Sequence, residues 1–192
     1  METLQEEMFF KSLVTAIVKE EDELNELFRN SDKEYQKFAP AGVGCLFETT
    51  FVYITIKQLL KDKFPLLISW EHPYPNDNYK KADMALLNSF DSKDINTLIE
   101  FKIWKTEEGK EIIKDLDKLN TVENIDKYMV FIEYTDNKIE DNKKYLENGL
   151  FNGKLKDIEI KIIEYTNIET SFFDSDNSQN VQKNMNIYLV KA

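Results

Sequence analysis

Two neighbouring segments of the chain carry charged side chains within otherwise apolar stretches. Asp83 lies within residues 81–87, and Glu100 and Lys102 lie within residues 97–104. Burial of an unpaired carboxylate costs several kcal/mol, even after the protein relaxes, unless a metal ion or another cation meets it. These residue types and their apolar surroundings therefore predict a charged site inside the fold, held together by a metal ion or by ion pairs.

The spacing of the two segments predicts that these charges meet. A hairpin formed by the segments would be centred on Asp91 and Ser92. In that register Asp83 lies directly across from Glu100, with Cβ atoms about 5 Å apart. Glu100 and Lys102 are two residues apart, so both side chains project from the same face of one strand. We therefore expect two carboxylates and one ammonium group to converge.

The chemistry expected of such a cluster is that of a divalent metal ion. Two carboxylates this close cannot both remain ionised without a cation. Hard oxygen ligands suit Mg²⁺, for which Mn²⁺ could substitute. Lys102 would then orient the metal-bound water, favour hydroxide, or stabilise negative charge on a phosphate in the transition state. The alternative is an ordinary ion pair of Lys102 with Asp83 or Glu100 at a sheet edge.

This pattern resembles that of the PD-(D/E)XK nuclease superfamily, which has the restriction-endonuclease-like fold. Members carry an acidic residue on one strand and Glu-x-Lys or Asp-x-Lys on the next strand, followed by a helix. Asp83, Glu100 and Lys102 match those three positions. Many members also have a glutamate on the helix before these strands, and Glu48 fits that position. The resemblance covers about residues 44–134.

The resemblance implies a Mg²⁺-dependent nuclease with DNA as the expected substrate. Asp83, Glu100 and Glu48 would bind the metal. Lys102 would assist the attacking water, and all four residues would be catalytic. Ala82 stands where the motif has proline, and Glu48 could instead be a partly exposed residue near a helix N-terminus, where carboxylates are favoured. The side chains expected to bind the substrate are those of Lys80, Lys81, Lys105, Lys110, Lys114 and Tyr79.

The surrounding sequence predicts an α/β fold with a mixed central sheet flanked by helices. Apolar residues at three- and four-residue spacing predict helices over 3–28, 44–62 and 107–120, and a shorter helix is expected near 139–147. Apolar runs and alternating patterns predict strands over 66–71, 81–87, 97–104, 128–134, 158–165 and 186–190. Residues 72–78 are predicted to form a turn, and the polar residues 174–184 a mobile loop.

We expect these elements to form one nuclease-like domain, because a single domain is typical of a chain of 192 residues. Residues 1–38 would be an N-terminal helical extension. Residues 44–134 would form the catalytic core in the order αβββαβ, and residues 135–192 the C-terminal strands and helix. Since chains of this size in the superfamily commonly cut both DNA strands as dimers, a homodimer or a larger complex is expected.

Composition restricts the function further. The single histidine, His72, and the single cysteine, Cys45, exclude multi-histidine and multi-cysteine metal sites and an internal disulfide. No apolar run is long enough to span a membrane, and the acidic N-terminus is unlike a secretory signal, so a cytoplasmic protein is expected. The formal net charge of −11 argues against binding nucleic acid by overall electrostatics.

That charge leaves two other functions open. A non-catalytic interaction protein could mimic nucleic acid or bind a basic partner, with the acidic run at residues 20–23 either as part of that surface or as a plain solvated helix face. A nuclease subunit could instead rely on another chain to bind DNA. His72 could act as a general base, although a histidine before proline in a turn is more often structural.

Overall fold

The computed structural model of the protein describes residues 1–34, 36, 41–91, 93–104, 109–135, 143–144, 146, 161–174 and 179–192. The helices of this part are α1 (Thr3–Asn30), α2 (Glu48–Lys61) and α3 (Gly109–Asn120), and a short 3₁₀ helix (Val43–Cys45) precedes α2. The strands are β1 (Leu67–Tyr74), β2 (Asp77–Leu87), β3 (Ile95–Trp104), β4 (Asp126–Thr135), β5 (Lys161–Asp174) and β6 (Gln179–Lys191).

The six strands form one mixed sheet in the order β1-β2-β3-β4-β6-β5. Neighbouring strands are antiparallel except for β3 and β4, which run parallel. A parallel pair needs a crossover connection, and α3 lies in the connection between β3 and β4. The predicted α/β class, with helices flanking a mixed sheet, is therefore confirmed.

Helices cover both faces of the sheet. Successive residues of a strand point to opposite faces, so each strand contributes side chains to both cores. α1 and α2 pack against the central strands in one core. Its residues include Phe9, Leu13 and Phe51 of the helices and Ile99, Phe101 and Val130 of the strands. α3 shares the opposite core with a second set, among them Leu98, Ile112, Leu116, Leu119, Met129 and Phe131. Leu98, and with it the even-numbered residues of β3, therefore faces α3.

The N-terminal helix α1 closely matches its prediction. Its core-facing residues Phe9, Leu13, Ala16 and Ile17 recur at three- and four-residue spacing and are buried. This periodicity places an apolar stripe against α2 and the sheet. Among the described residues, no helix is both long and apolar enough to cross a lipid bilayer.

Two predicted boundaries around β1 and α2 are wrong. α2 begins at Glu48 rather than at residue 44, because Val43–Cys45 form the 3₁₀ helix. Residues 72–74 belong to β1 and not to a turn, and the chain reverses at residues 75 and 76. Proline is tolerated there because β1 is an edge strand, where a missing N–H need not break a ladder.

The loop predicted over residues 174–184 is wrong for residues 179–184, which pair with β5. The register of this hairpin runs from Asp174 opposite Gln179 to Lys161 opposite Lys191, with one irregularity. Backbone hydrogen bonds do not depend on side-chain type, so a polar run can extend a strand when the neighbouring strand, here β5, supplies the ladder. The predicted helix near 139–147 lies outside the described residues, apart from residues 143, 144 and 146.

The acidic run of α1 is not wholly a solvated face, because Glu21 is buried with 8% of its surface exposed. Its carboxylate accepts hydrogen bonds from the Val43 N–H at 2.7 Å and the Ser171 N–H at 3.1 Å. The Thr170 hydroxyl and the Asn25 amide donate to it as well, both at 2.7 Å. Glu21 therefore ties α1 to β5 and to the segment that leads into α2.

A carboxylate and lysine cluster as the candidate active site

The β2–β3 ladder ends beside the predicted site. Its register includes Met84 opposite Ile99 and Ala85 opposite Leu98, which is the predicted register. Asp83 directly precedes Met84, the first residue of β2 in this ladder, and its Oδ2 accepts a hydrogen bond of 2.7 Å from the Phe101 N–H. The carboxylate thus satisfies a backbone donor of β3 just beyond the paired region, and it lies next to Glu100.

Glu48 is brought to the same place by the start of α2. One oxygen, Oε2, accepts a hydrogen bond of 3.1 Å from the Ile103 N–H, and Oε1 lies 3.5 Å from Lys102 Nζ. A carboxylate in the first helical turn is also favoured by the helix dipole. Glu48 is therefore a residue at the helix N-terminus and a member of the cluster at once.

Glu100 is the most deeply buried carboxylate of the cluster, with 3% of its surface exposed. Its Oε1 accepts a hydrogen bond of 2.5 Å from the Tyr74 hydroxyl at the end of β1. Lys118 Nζ, from α3, lies 2.5 Å from the same oxygen and 4.9 Å from the centre of the Tyr74 ring. Three elements therefore converge on this one carboxylate.

Lys102 projects from the same face of β3 as Glu100 and is also met by α3. Its Nζ lies 3.0 Å from Asp115 Oδ2 and 3.5 Å from Glu48 Oε1. All three side chains are at least partly buried, so these ion pairs are less screened by water than pairs at the surface. Lys102 therefore holds the start of α2 and the middle of α3 together across β3.

Burial shifts the acidities of the three predicted metal ligands in the same direction. Burial, and after it the neighbouring Asp83 carboxylate, raises the pKa of Glu100 to about 7. Lys118 and Tyr74 oppose this rise. Burial also raises the pKa of Asp83, against the Phe101 N–H, and that of Glu48, against Lys102. Burial therefore opposes ionisation of all three carboxylates, and a cation bound among them would favour it.

The charge of the cluster and its donor types fit a divalent metal ion. Glu48, Asp83, Glu100 and Asp115 contribute four carboxylates, and Lys102 and Lys118 contribute two ammonium groups, which leaves two negative charges when all are ionised. Carboxylate oxygens are ligands that Mg²⁺ prefers. Across the described residues, no three histidine, cysteine, aspartate or glutamate side chains lie together as a group that could hold a metal ion. Shared ligation therefore requires these carboxylates to move closer together.

No protein-family model, curated protein or solved structure matches the chain. The interpretation of the cluster consequently depends on its own residues and geometry.

The predicted substrate-binding residues on β2 lie on the surface rather than in the cluster. Tyr79 is fully exposed. Lys80 Nζ lies 3.3 Å from Asp77, and Lys81 Nζ lies 3.1 Å from Glu71. Exposed ion pairs of this kind contribute about 0–1 kcal/mol, so both lysines can exchange their partners for a phosphate at little cost.

The other predicted substrate-binding lysines belong to α3 or precede it. Lys114 is exposed on α3. Lys110 lies in the first turn of α3, but its side chain is outside the described part of the structure, and so is the whole of Lys105. Of these three residues, only Lys114 can therefore be assigned to a surface that a substrate could reach.

Three members of the cluster were missed by sequence reasoning: Tyr74, Asp115 and Lys118. Tyr74 falls in the segment predicted as a turn. Asp115 and Lys118 are three residues apart, which places them on one face of α3 beside the buried Leu116 and Leu119. Charged residues that flank an apolar helical stripe, opposite a strand with Glu-x-Lys, are the signal that could have identified them.

The segment of β1 opposite Asp83 has an unusual backbone. Trp70 pairs with Met84 and His72 with Ala82, so Glu71 lies across from Asp83. Glu71 has a φ of 48°, in the left-handed region that costs an ordinary residue about 1 kcal/mol or more. The strained residue is therefore next to the site, although its own carboxylate pairs with Lys81 on the surface.

His72 has the environment of a structural residue. It is buried, and its Nδ1 lies 3.0 Å from the Ser69 hydroxyl of the same strand. This contact lies within β1. Burial and a partner on its own strand favour the structural alternative for His72 over the general base.

Proposed function

We propose that the protein is a Mg²⁺-dependent nuclease that hydrolyses phosphodiester bonds in DNA, with a restriction-endonuclease-like fold and a site of the PD-(D/E)XK type. One observation carries the proposal. Glu48, Asp83, Glu100 and Lys102 come from three elements and meet in a partly buried cluster with excess negative charge. A purely structural cluster would have no need for that excess.

The order of elements supports the same proposal. α2 precedes the antiparallel strands β1, β2 and β3, and α3 then leads to β4, which is parallel to β3. This is the order αβββαβ expected from the resemblance. The cluster lies where β2 and β3 stop pairing, and this is where the proposed reaction would take place.

Each residue has a distinct part in the proposed reaction. The metal ion would act as a Lewis acid and lower the pKa of its bound water, with Mn²⁺ as a substitute for Mg²⁺. Asp83 and Glu100 would bind it through carboxylate oxygens, and Glu48 would complete the site or position a second water. Lys102, paired with Glu48 and Asp115, would orient the water and stabilise the charge that builds up on the phosphate.

The test is cleavage of supercoiled DNA, linear duplex DNA, single-stranded DNA and RNA, each with Mg²⁺ and with EDTA. We expect DNA cleavage only with the metal, and its loss in Lys102→Ala. Asp117→Asn, an exposed position two residues from Asp115 on α3, is the matched control and should cleave at the wild-type rate. A folded, metal-supplied wild type that cuts none of these substrates would contradict the proposal, and so would an active Lys102→Ala variant.

The second candidate is a non-catalytic interaction protein, and the net charge of −11 favours it. The basic side chains Lys80 and Lys81 are each paired with an acidic neighbour, which lowers the positive charge offered to a phosphate. Gel filtration with basic and nucleic-acid partners distinguishes the candidates. Stable binding of a basic protein, together with a lack of cleavage and of metal binding, would favour the interaction protein. A stable complex in which a second chain brings DNA would instead explain how an acidic nuclease binds its substrate.

A further inference from the structure

Two charges of α3 pair crosswise with two charges of β3. Asp115 and Lys118 share one face of the helix, and Glu100 and Lys102 share one face of the strand. Lys118 Nζ lies 2.5 Å from Glu100 Oε1, and Asp115 Oδ2 lies 3.0 Å from Lys102 Nζ. The helix therefore neutralises both residues of the Glu-x-Lys pair.

The ion pair of Lys118 with Glu100 is largely removed from water. The exposed fractions of the two side chains are 18% and 4%. Glu100 Oε1 also accepts the Tyr74 hydroxyl, so this oxygen has two donors. Lys118 is thus the positive charge nearest to the carboxylate that the proposed function assigns to the metal.

A metal ion bound to Glu100 is incompatible with the present position of Lys118. Mg²⁺ binds carboxylate oxygens at about 2.0–2.1 Å, which would bring two positive charges close to the ammonium group. Repulsion between cations at such a distance in a poorly hydrated site is strong. The metal must therefore displace Lys118, whereas Lys102 keeps its partner Asp115.

The displaced ammonium group remains beside the site, because its Cα is held in α3. A lysine side chain has a flexible stem and three donors, and phosphate oxygens are strong acceptors of charge-assisted hydrogen bonds. The scissile phosphate would be bound next to the metal, within reach of the freed side chain. A second lysine is thereby supplied to the substrate only after the metal has arrived.

We propose that Lys118 is an internal counter-ion of the metal site, which neutralises Glu100 until the metal binds and then contacts the substrate phosphate. This inference rests on the proposed nuclease function. It assigns to Lys118 a role distinct from that of Lys102, because Lys118 pairs with the metal ligand Glu100, whereas the shorter ion pair of Lys102 is with Asp115, which the proposed function does not assign to the metal.

Calorimetric titration of the full chain with Mn²⁺, without nucleic acid, tests the first part. We expect Lys118→Met to bind Mn²⁺ at least about tenfold more tightly than the wild type, because a competing positive charge is gone. Lys118→Arg keeps the charge and should retain wild-type affinity. Lys11→Met, at an exposed position of α1, is the matched control and should also bind as the wild type does. Circular dichroism of each variant establishes that it is folded.

The second part is tested with DNA at saturating Mn²⁺. Lys118→Met should raise KM several-fold, because a phosphate contact is lost, while Lys11→Met leaves KM unchanged. Mn²⁺ affinity in Lys118→Met equal to or weaker than that of the wild type overturns the counter-ion role, and an unchanged KM overturns the phosphate contact. In both cases wild-type cleavage shows that the proposed function stands. If neither the wild type nor Lys118→Met binds Mn²⁺ or cleaves DNA, the proposed function itself fails, and this inference fails with it.

Discussion

Glu21 in α1 and Glu100 in β3 are both buried carboxylates, but their surroundings differ. Glu21 accepts four hydrogen bonds from neutral donors, which come from α1, the segment before α2 and β5. Glu100 accepts one neutral hydroxyl and one ammonium group and lies beside a second carboxylate, Asp83. Burial alone therefore says little about the role of an acidic residue, and the identity of its neighbours says much more.

The difference separates a structural site from the proposed functional one. Neutral donors stabilise an ionised carboxylate in place, so Glu21 acts as a junction between elements. A second carboxylate beside Glu100 opposes ionisation, and that conflict is relieved by a proton, a lysine or a metal ion. Proteins accept such unfavourable arrangements at functional sites at a cost in stability. Four predictions test this comparison.

The largest expected effect is on catalysis by Glu100→Gln. Loss of the carboxylate that the proposed function assigns to the metal should lower kcat on DNA by about a thousandfold or more, because the metal would no longer be held against the phosphate. The corresponding Glu21→Gln should leave the kcat of the folded protein within about twofold of the wild-type value, since no reacting group is touched. Steady-state kinetics at saturating Mg²⁺ measures both. A large kcat loss in Glu21→Gln would remove the distinction between the two sites.

The next largest effect is on stability, and it falls on Glu21. Glu21→Gln turns an amide N–H₂ toward backbone and hydroxyl donors, and each buried donor left without an acceptor costs about 1–3 kcal/mol. We expect the free energy of unfolding to fall by about 3 kcal/mol in urea denaturation. A loss below about 1 kcal/mol would mean that the junction contributes little.

Glu100→Gln should have the opposite effect on stability when metal is removed by EDTA. Burial raises the pKa of Glu100 in the folded protein to about 7, above its ordinary value of 4.5, so the folded state binds this proton more tightly. The resulting stability is fully present below about pH 4.5 and is lost as pH rises through about 7. Glutamine resembles the protonated acid and keeps that stability. The variant should therefore match the wild type at low pH and exceed it at pH 8, by up to about 3 kcal/mol.

Urea denaturation at several pH values checks this prediction. Glu7→Gln on α1, an exposed position, serves as the control and should give a constant difference from the wild type. If Glu100→Gln is less stable than the wild type at pH 8, the Lys118 ion pair stabilises the fold more than burial of the carboxylate destabilises it. The interpretation of Glu100 as an unfavourably buried carboxylate would then be wrong.

The smallest expected effect is that of Gly42→Ala. A Cβ at this position would lie 2.5 Å from Glu21 Oε2 and 2.6 Å from Oε1, and the carboxylate cannot simply turn away without breaking its hydrogen bonds. We expect a loss of about 1–2 kcal/mol in unfolding free energy. The loss should largely disappear in a Glu21→Ala background, so a double-mutant cycle would show strong coupling. Additive effects would mean that Gly42 matters for another reason.

Much of the sheet and part of the site follow from local sequence. The apolar periods of α1, α3 and β4 identify those elements, and the hairpin register predicts that Asp83 meets Glu100. These features depend on residues close in sequence, whose relative positions are set by 3.6-residue and two-residue periods. The position of Glu48 came from the family resemblance, and the structure adds its hydrogen bond to the Ile103 N–H.

The residues that were missed or misjudged make contacts between elements far apart in sequence. Tyr74 and Glu100 are 26 residues apart, and Glu21 and Ser171 are 150 apart. No periodicity joins such pairs. The polar extension of the β5–β6 hairpin beyond the predicted strands was missed for a related reason, since composition describes side chains and the ladder is built by backbone groups.

The sequence by itself determined the α/β class, the hairpin register and the presence of two carboxylates and a lysine at the point where β2 and β3 separate. Only the tertiary structure decided that Lys118 and Tyr74 meet Glu100, that Asp115 holds Lys102, and that Glu21 is a structural junction. The physical reason is that local periods fix the face from which a side chain projects, whereas its partner, and therefore its charge state and role, depends on which distant element packs against that face.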